Sequence, residues 1–250
     1  MKRIQGTFVP WYVKPGAPLT WPDLSWQYQS NQFMLTHVGG GMLTNRFIFI
    51  GMPHTGSGSL HQWLWKWPGL KRLDNSAHRP YDYYAGVCKE KKKKVPPAFV
   101  LARNPWEWNV AVWCWIRNVN RKYFCGSFDD FLEWQHYSRH WALPDLNLSG
   151  ISCVWEYLGA DKATYFGTLE TYKKSVVRIL LKIMPDLITE KQILAEIERV
   201  GKHNYREPPD GKIKPYQEYY SNAQQKMIAE LEAPIIERFG YSFNDKGVDF

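Results

Sequence analysis

Two short runs of apolar residues stand out against an otherwise mixed chain. Arg46 to Gly51 (RFIFIG) carries four β-forming residues between turn residues, and Ala98 to Ala102 (AFVLA) is entered through Pro96 and Pro97. Neither run alternates, so each predicts a strand buried on both faces. A loop of small residues, Met52 to Ser57, follows the first, and a helix is expected from Gly58 to Trp67, stopped by Pro68 and Gly69. Arg103, Asn104 and Pro105 follow the second, and Trp106, Val110, Trp113 and Arg117 then share one helical stripe, which predicts a helix to about Arg121.

Further along, a helix is expected from Phe128 to His140 with Ser127 as its N-cap. Ser152 to Leu158 and Ala163 to Phe166 read as strands, and Thr171 to Met184 as a helix ending before Pro185. Thr189 and Gln192 form a capping-box pair for a helix to Val200, with Gly201 as its stop. Ser221 to Phe239 is the last expected helix, kinked at Pro234. Buried strands each followed by a helix imply an α/β fold: a P-loop-like parallel sheet flanked by helices, in three α/β/α layers. Residues 1–45, rich in Pro, Gly and Trp, read as an irregular arm, and 46–250 as a single domain. In such sheets ligands bind beyond the carboxyl ends of the strands. Both polar loops, 52–57 and 103–105, fall there.

Composition sharpens this picture. The 250 residues include 32 Lys+Arg and 24 Asp+Glu, a formal net charge of +8, which favours an anionic ligand. Part of the excess lies in the run Lys89 to Lys94, which reads either as a solvated loop or as a means of attracting an anionic ligand. Thirteen Trp supply core material and also faces suited to sugars and nucleotides. Cys88, Cys114, Cys125 and Cys153 form no C-x-x-C pair, so no zinc or redox motif is indicated. No apolar run approaches the ~20 residues of a membrane span, and the N-terminal residues lack a signal-peptide core. A soluble cytoplasmic protein is expected.

The first loop carries the chemistry. Pro53, His54, Thr55, Gly56, Ser57, Gly58 and Ser59 run from strand to helix. Glycines let backbone N–H groups turn toward an anion, and the helix adds its positive end. Thr55, Ser57 and Ser59 add hydroxyls. Gly51 and Gly56 have the spacing of a nucleotide-binding G-x-x-x-x-G-K loop, but Ser57 holds the Lys position. At the second loop, Arg103 can fork two N–H donors onto a phosphate or pair with Glu107.

With both loops in view, the chain resembles the sulfotransferases that use 3′-phosphoadenosine 5′-phosphosulfate (PAPS), particularly the carbohydrate-type and related bacterial or viral members. The family's P-K-[TS]-G-[TG]-[TS]-S loop is similar to Pro53–Ser59, and its V-R-[ND]-P strand end to Ala102–Pro105. Three further stretches are similar: Phe128 to Trp134, Lys202-His203-Asn204, and Tyr216 to Tyr241. The resemblance spans about residues 46–243. It implies that loop 53–59 holds the 5′-phosphosulfate, that Arg103 holds the 3′-phosphate, and that adenosine 3′,5′-bisphosphate (PAP) is the product. It also implies His54 at the bridging oxygen, where the family has Lys, and His78 as the base that takes the acceptor proton. Arg206, Lys212 and Lys214, in a basic loop before the last helix, would approach the 3′-phosphate and compensate for Ala111, which replaces a phosphate-binding Ser. Trp108 replaces a second Arg. The acceptor is expected to be a small molecule or glycan hydroxyl, with no metal and no nucleic acid. Two rivals share parts of the pattern: a P-loop small-molecule kinase, and a non-catalytic glycan- or nucleic-acid-binding protein.

Overall fold

Residues 40–74, 79–119, 126–133, 150–201 and 214–245 are described by a computed structural model of the chain. The two apolar runs become β2 (Ile48–Ile50) and β4 (Ala98–Ala102), paired in parallel with Phe49 opposite Phe99. β5 (Tyr165–Thr168) adds in parallel on the far side of β4. It begins two residues later than the Ala163 start expected from the sequence.

The sheet is not parallel throughout, as the sequence had suggested. β1 (Met42–Thr44) and β3 (Arg72–Asp74) extend it antiparallel, giving the order β3-β1-β2-β4-β5. Only three residues join β1 to β2, and a connection that short permits antiparallel pairing alone. Thr44 closes the turn: its hydroxyl donates to the Phe47 carbonyl at 3.1 Å and accepts the Phe47 N–H at 3.0 Å. Met42 and Leu43, assigned by sequence to the irregular arm, are fully buried in the sheet.

Successive strand residues point to opposite cores. Ile48, Ile50, Val100 and Ala102 face one cluster, whereas Phe49, Phe99 and Leu101 face the other. That alternation inside wholly apolar runs makes the three-layer arrangement. The first face is covered by α2 (Tyr81–Glu90), α3 (Pro105–Val119), α4 (Ile151–Tyr157), α7 (Asn222–Leu231) and α8 (Ala233–Phe239). α1 (Ser57–Leu64), α5 (Tyr172–Ile183) and α6 (Glu190–Val200) cover the second.

α6 carries the capping box expected of Thr189 and Gln192. Ser127 caps a helical segment over 128–133, accepting the Asp130 N–H at 3.2 Å. Two sequence expectations are corrected. The expected strand over Ser152–Leu158 is instead the helix Ile151–Tyr157: Ile151, Val154, Trp155 and the capping Leu158 are buried at helical spacing, which outweighs the β-preference of Val and Trp. The last helix is two, because the chain breaks at Glu232 and Pro234 begins a new helix. Glu232, 1% exposed, accepts the Ser152 N–H at 2.9 Å. No helix among the described residues is long and apolar enough to cross a membrane.

Candidate functional site

β2, β4 and β5 run parallel, so the turns after them meet at one rim of the sheet. The first turn is the small-residue loop. Its backbone takes two left-handed steps, at His54 (φ 59°) and Gly56 (φ 79°). A non-glycine residue there costs about 1 kcal/mol, so His54 stores local strain of the kind that gathers at functional loops. A side chain at Gly56 would be strained by its backbone and crowded by its neighbours. A Cβ would stand 2.8 Å from Leu169 Cδ1 and 3.2 Å from Tyr172 Cε2.

Gly56 is the N-cap of α1 and provides no side-chain cap, and the first turn of α1 contains no acid. The first N–H groups of a helix lack intrahelical partners. Here they include those of Ser57 and Gly58, so the positive end of α1 lies at the rim.

The loop is pinned from below. The Thr55 hydroxyl donates to the Met52 carbonyl at 2.9 Å, and Thr55 is fully buried. Its hydroxyl therefore braces the loop. The Trp108 indole N–H donates to the Pro53 carbonyl at 2.9 Å, and Trp108 is fully buried. His54 presents its ring edge-on to Trp115 with centroids 5.4 Å apart.

The second turn brings Arg103 to the same loop. Its Nη1 donates to the His54 carbonyl at 2.9 Å, and its Nη2 lies 3.2 Å from Glu107 Oε1. Arg103 therefore pairs with Glu107, one of the two readings of it, and also donates to the backbone of the loop after β2. Its Nε is buried with no hydrogen-bond partner among the described residues. An unmatched buried donor beside an uncapped helix start fits an incoming phosphate.

The third turn, after β5, supplies residues that sequence reasoning missed. Glu170 accepts the Asn104 backbone N–H at 2.6 Å and the Tyr241 hydroxyl at 3.1 Å. Burial, more than the nearby Glu107, raises its carboxyl above the usual range. Tyr241 and Tyr216 are also pushed up by burial first and then by surrounding carboxylates, so both remain neutral donors at physiological pH. The Asn104 amide donates to the Ser242 carbonyl at 2.9 Å, and its side-chain oxygen accepts the Trp106 N–H at 3.1 Å. The sequence offers Asn104 only as part of the strand-end motif with Arg103, and no local pattern points to Glu170.

His61, one turn into α1, is 6% exposed, stacks on Trp65, and leaves Nε2 without a partner among the described residues. Burial, then Arg72, lowers its pKa from 6.5. The fold holds His61 neutral, while the unfolded chain takes up a proton near 6.5. Stability is therefore full above that pH and declines as pH falls below it. The melting temperature is expected to drop between pH 7.5 and 5.5, and less steeply in His61→Gln. An unchanged slope in that variant would refute the assignment.

His78, Arg206 and Lys212 lie outside the described residues. Lys214 is exposed, with its ammonium 5.6 Å from the Tyr219 ring centroid. No cluster of metal-ligating side chains occurs among the described residues.

A five-stranded mixed sheet between two helical layers, with its polar turns at the carboxyl rim, defines a P-loop-like α/β architecture. Comparison with protein-family models and with curated protein sequences finds no match. Among solved structures, the fold is similar to that of a mouse sulfotransferase, SULT7A1, complexed with PAP. The TM-score is 0.50 at 15% identity, and the match covers 80% of this chain and 86% of the other. The likeness is one of fold: this chain has the three-layer architecture of a sulfotransferase.

Proposed function

We propose that this chain is a sulfotransferase that moves a sulfuryl group from PAPS to a hydroxyl acceptor, releasing PAP. One observation carries the reading: the 2.9 Å contact from Arg103 to the His54 carbonyl, which sets a guanidinium beside the anion loop. A ligand with phosphates at both the 5′ and 3′ ends of one nucleoside needs two such groups at one rim. The fold likeness to the PAP-bound mouse enzyme supports the same reading.

In the proposed reaction the acceptor oxygen attacks sulfur while the bond from sulfur to the bridging phosphate oxygen breaks. Charge grows on the leaving phosphate. The N–H groups of residues 54–58, with His54 and Ser57, are fixed before reaction and meet that charge without reorganising. Each well-placed donor of this kind is worth about 3 kcal/mol. Arg103 takes the 3′-phosphate, assisted by Arg206, Lys212 and Lys214, and His78 takes the acceptor proton. Trp115, half-buried beside His54, offers a flat wall to the ring of a carbohydrate acceptor.

Titration with PAP tests this. At a concentration 100 times Kd, PAP should stabilise the protein by about 2.7 kcal/mol, an upward melting shift of roughly 5–10 °C. Arg103→Ala, compared with its own ligand-free form, should show little shift. An equal shift in both would remove Arg103 from the site. Tighter binding of ATP–Mg²⁺ than of PAP would favour a kinase.

A further inference from the structure

Resting on that reading, we propose that Glu170 is the positioning residue of the rim, fixing the Arg103 turn at the distance from the anion loop that a nucleotide with two phosphates requires.

The turn between β5 and α5 touches both halves of the site. Leu169 and Tyr172 close against Gly56: a single added carbon would stand 2.8 Å from Leu169 Cδ1 and 3.2 Å from Tyr172 Cε2. Glu170, between them in sequence, accepts the Asn104 N–H at 2.6 Å, and Asn104 directly follows Arg103. One three-turn keystone thereby sets the spacing between the anion loop and the guanidinium. The same carboxylate accepts the Tyr241 hydroxyl at 3.1 Å. Asn104 in turn holds the Ser242 carbonyl at 2.9 Å, and the Tyr216 hydroxyl donates to the Phe243 carbonyl at 2.8 Å. The C-terminal segment is thus bolted to the Arg103 turn through Glu170 and Asn104.

Glu170 is not placed to touch substrate through this geometry, because its two oxygens are taken by Asn104 and Tyr241. A carboxylate this close to Arg103 also opposes anion binding by charge, as does Glu107. Its value to the site is therefore geometric. This separates Glu170 from a residue that acts by electrostatic attraction, and it predicts that the neutral isostere will serve. Gln keeps an oxygen for the Asn104 N–H and swaps the other oxygen for an N–H₂ that can donate to the Tyr241 oxygen.

The experiment uses the full chain and two ligands, PAP and adenosine 5′-monophosphate, which lacks the 3′-phosphate. Titrations are run well below the melting temperature, so that a loss of stability alone does not register as a loss of affinity. Glu170→Ala is expected to weaken PAP about tenfold, the order seen when a buried acceptor is lost. Adenosine 5′-monophosphate should weaken far less, because it does not use Arg103. Glu170→Gln should restore PAP affinity to within about twofold. Hydrogen exchange gives a reading that needs no ligand: the Asn104 amide should lose protection in Glu170→Ala and retain it in Glu170→Gln. Equal weakening of both ligands, or full PAP affinity in Glu170→Ala, would overturn the positioning role while leaving the sulfotransferase reading intact. Failure of the parent protein to bind PAP would remove both.

Discussion

Gly51→Ala is expected to prevent folding. Gly51 directly follows β2 and leads into the small-residue loop, with the Gly40–Gly41 backbone lying against it. An added Cβ would fall 0.5 Å from the Gly40 carbonyl oxygen, 1.7 Å from its carbonyl carbon and 2.6 Å from the Gly41 nitrogen. These are backbone atoms, with no side-chain end to swing aside, and Gly41 adjoins β1 of the same sheet. Relief requires moving the segment that feeds β1 away from the end of β2. A substitution that displaces packed backbone belongs with the rare changes costing more than about 4 kcal/mol. That is a large share of the 5–15 kcal/mol that holds a typical domain together. The variant should express insolubly or lack a cooperative thermal transition. A soluble protein melting within a few degrees of the parent would show that the chain does not approach itself this closely.

The second large effect is expected at Trp108. Its indole is fully buried and its N–H holds the Pro53 carbonyl at 2.9 Å. Trp108→Ala removes a large core side chain and leaves that carbonyl without its donor. The expected loss is about 3–5 kcal/mol in urea unfolding. Trp108→Phe keeps much of the volume and deletes only the hydrogen bond, so about 1–3 kcal/mol should be lost. The difference between the two variants separates packing from loop bracing. Both should weaken PAP, because the brace acts on the residue just before His54. A Phe variant with parental stability and parental PAP affinity would show that the indole N–H does not hold the loop.

Trp108 also marks where sequence reading reached its limit. Its place on a helix after the second strand follows from local spacing. Its partner does not: Pro53 lies 55 residues earlier. The same holds for Glu170, 66 residues from the Asn104 amide it accepts. The positions of the small-residue loop and of Arg103 were legible because each follows an apolar run that reads as a buried strand. The parallel order of those runs then placed both turns at one rim. β1 and β3 were not legible. Three residues carry no period, and Arg72-Leu73-Asp74 shows no apolar excess. Their strand state comes from pairing with the neighbour across the sheet. The segment Ile151–Tyr157 failed for the opposite reason: Val154, Trp155 and Tyr157 favour strands locally, while burial at helical spacing decided the outcome. The Thr189–Gln192 box was read correctly because a cap is satisfied within four residues.

The departures at His54 and Trp108 acquire a physical account from the fold. Trp108 stands where the resemblance suggested a second Arg, and it exchanges a possible ligand contact for a fixed brace under the loop. His54 adopts the left-handed backbone that leaves its carbonyl toward Arg103, so this residue links the two halves of the rim through its main chain whatever its side chain does.

The most direct test is a crystal structure of the chain with PAP. The 5′-phosphate should lie against the N–H groups of residues 54–59, and the 3′-phosphate should sit within hydrogen-bond reach of the Arg103 guanidinium. PAP bound away from the turns after β2 and β4, or held by one turn with Arg103 uninvolved, would contradict the account.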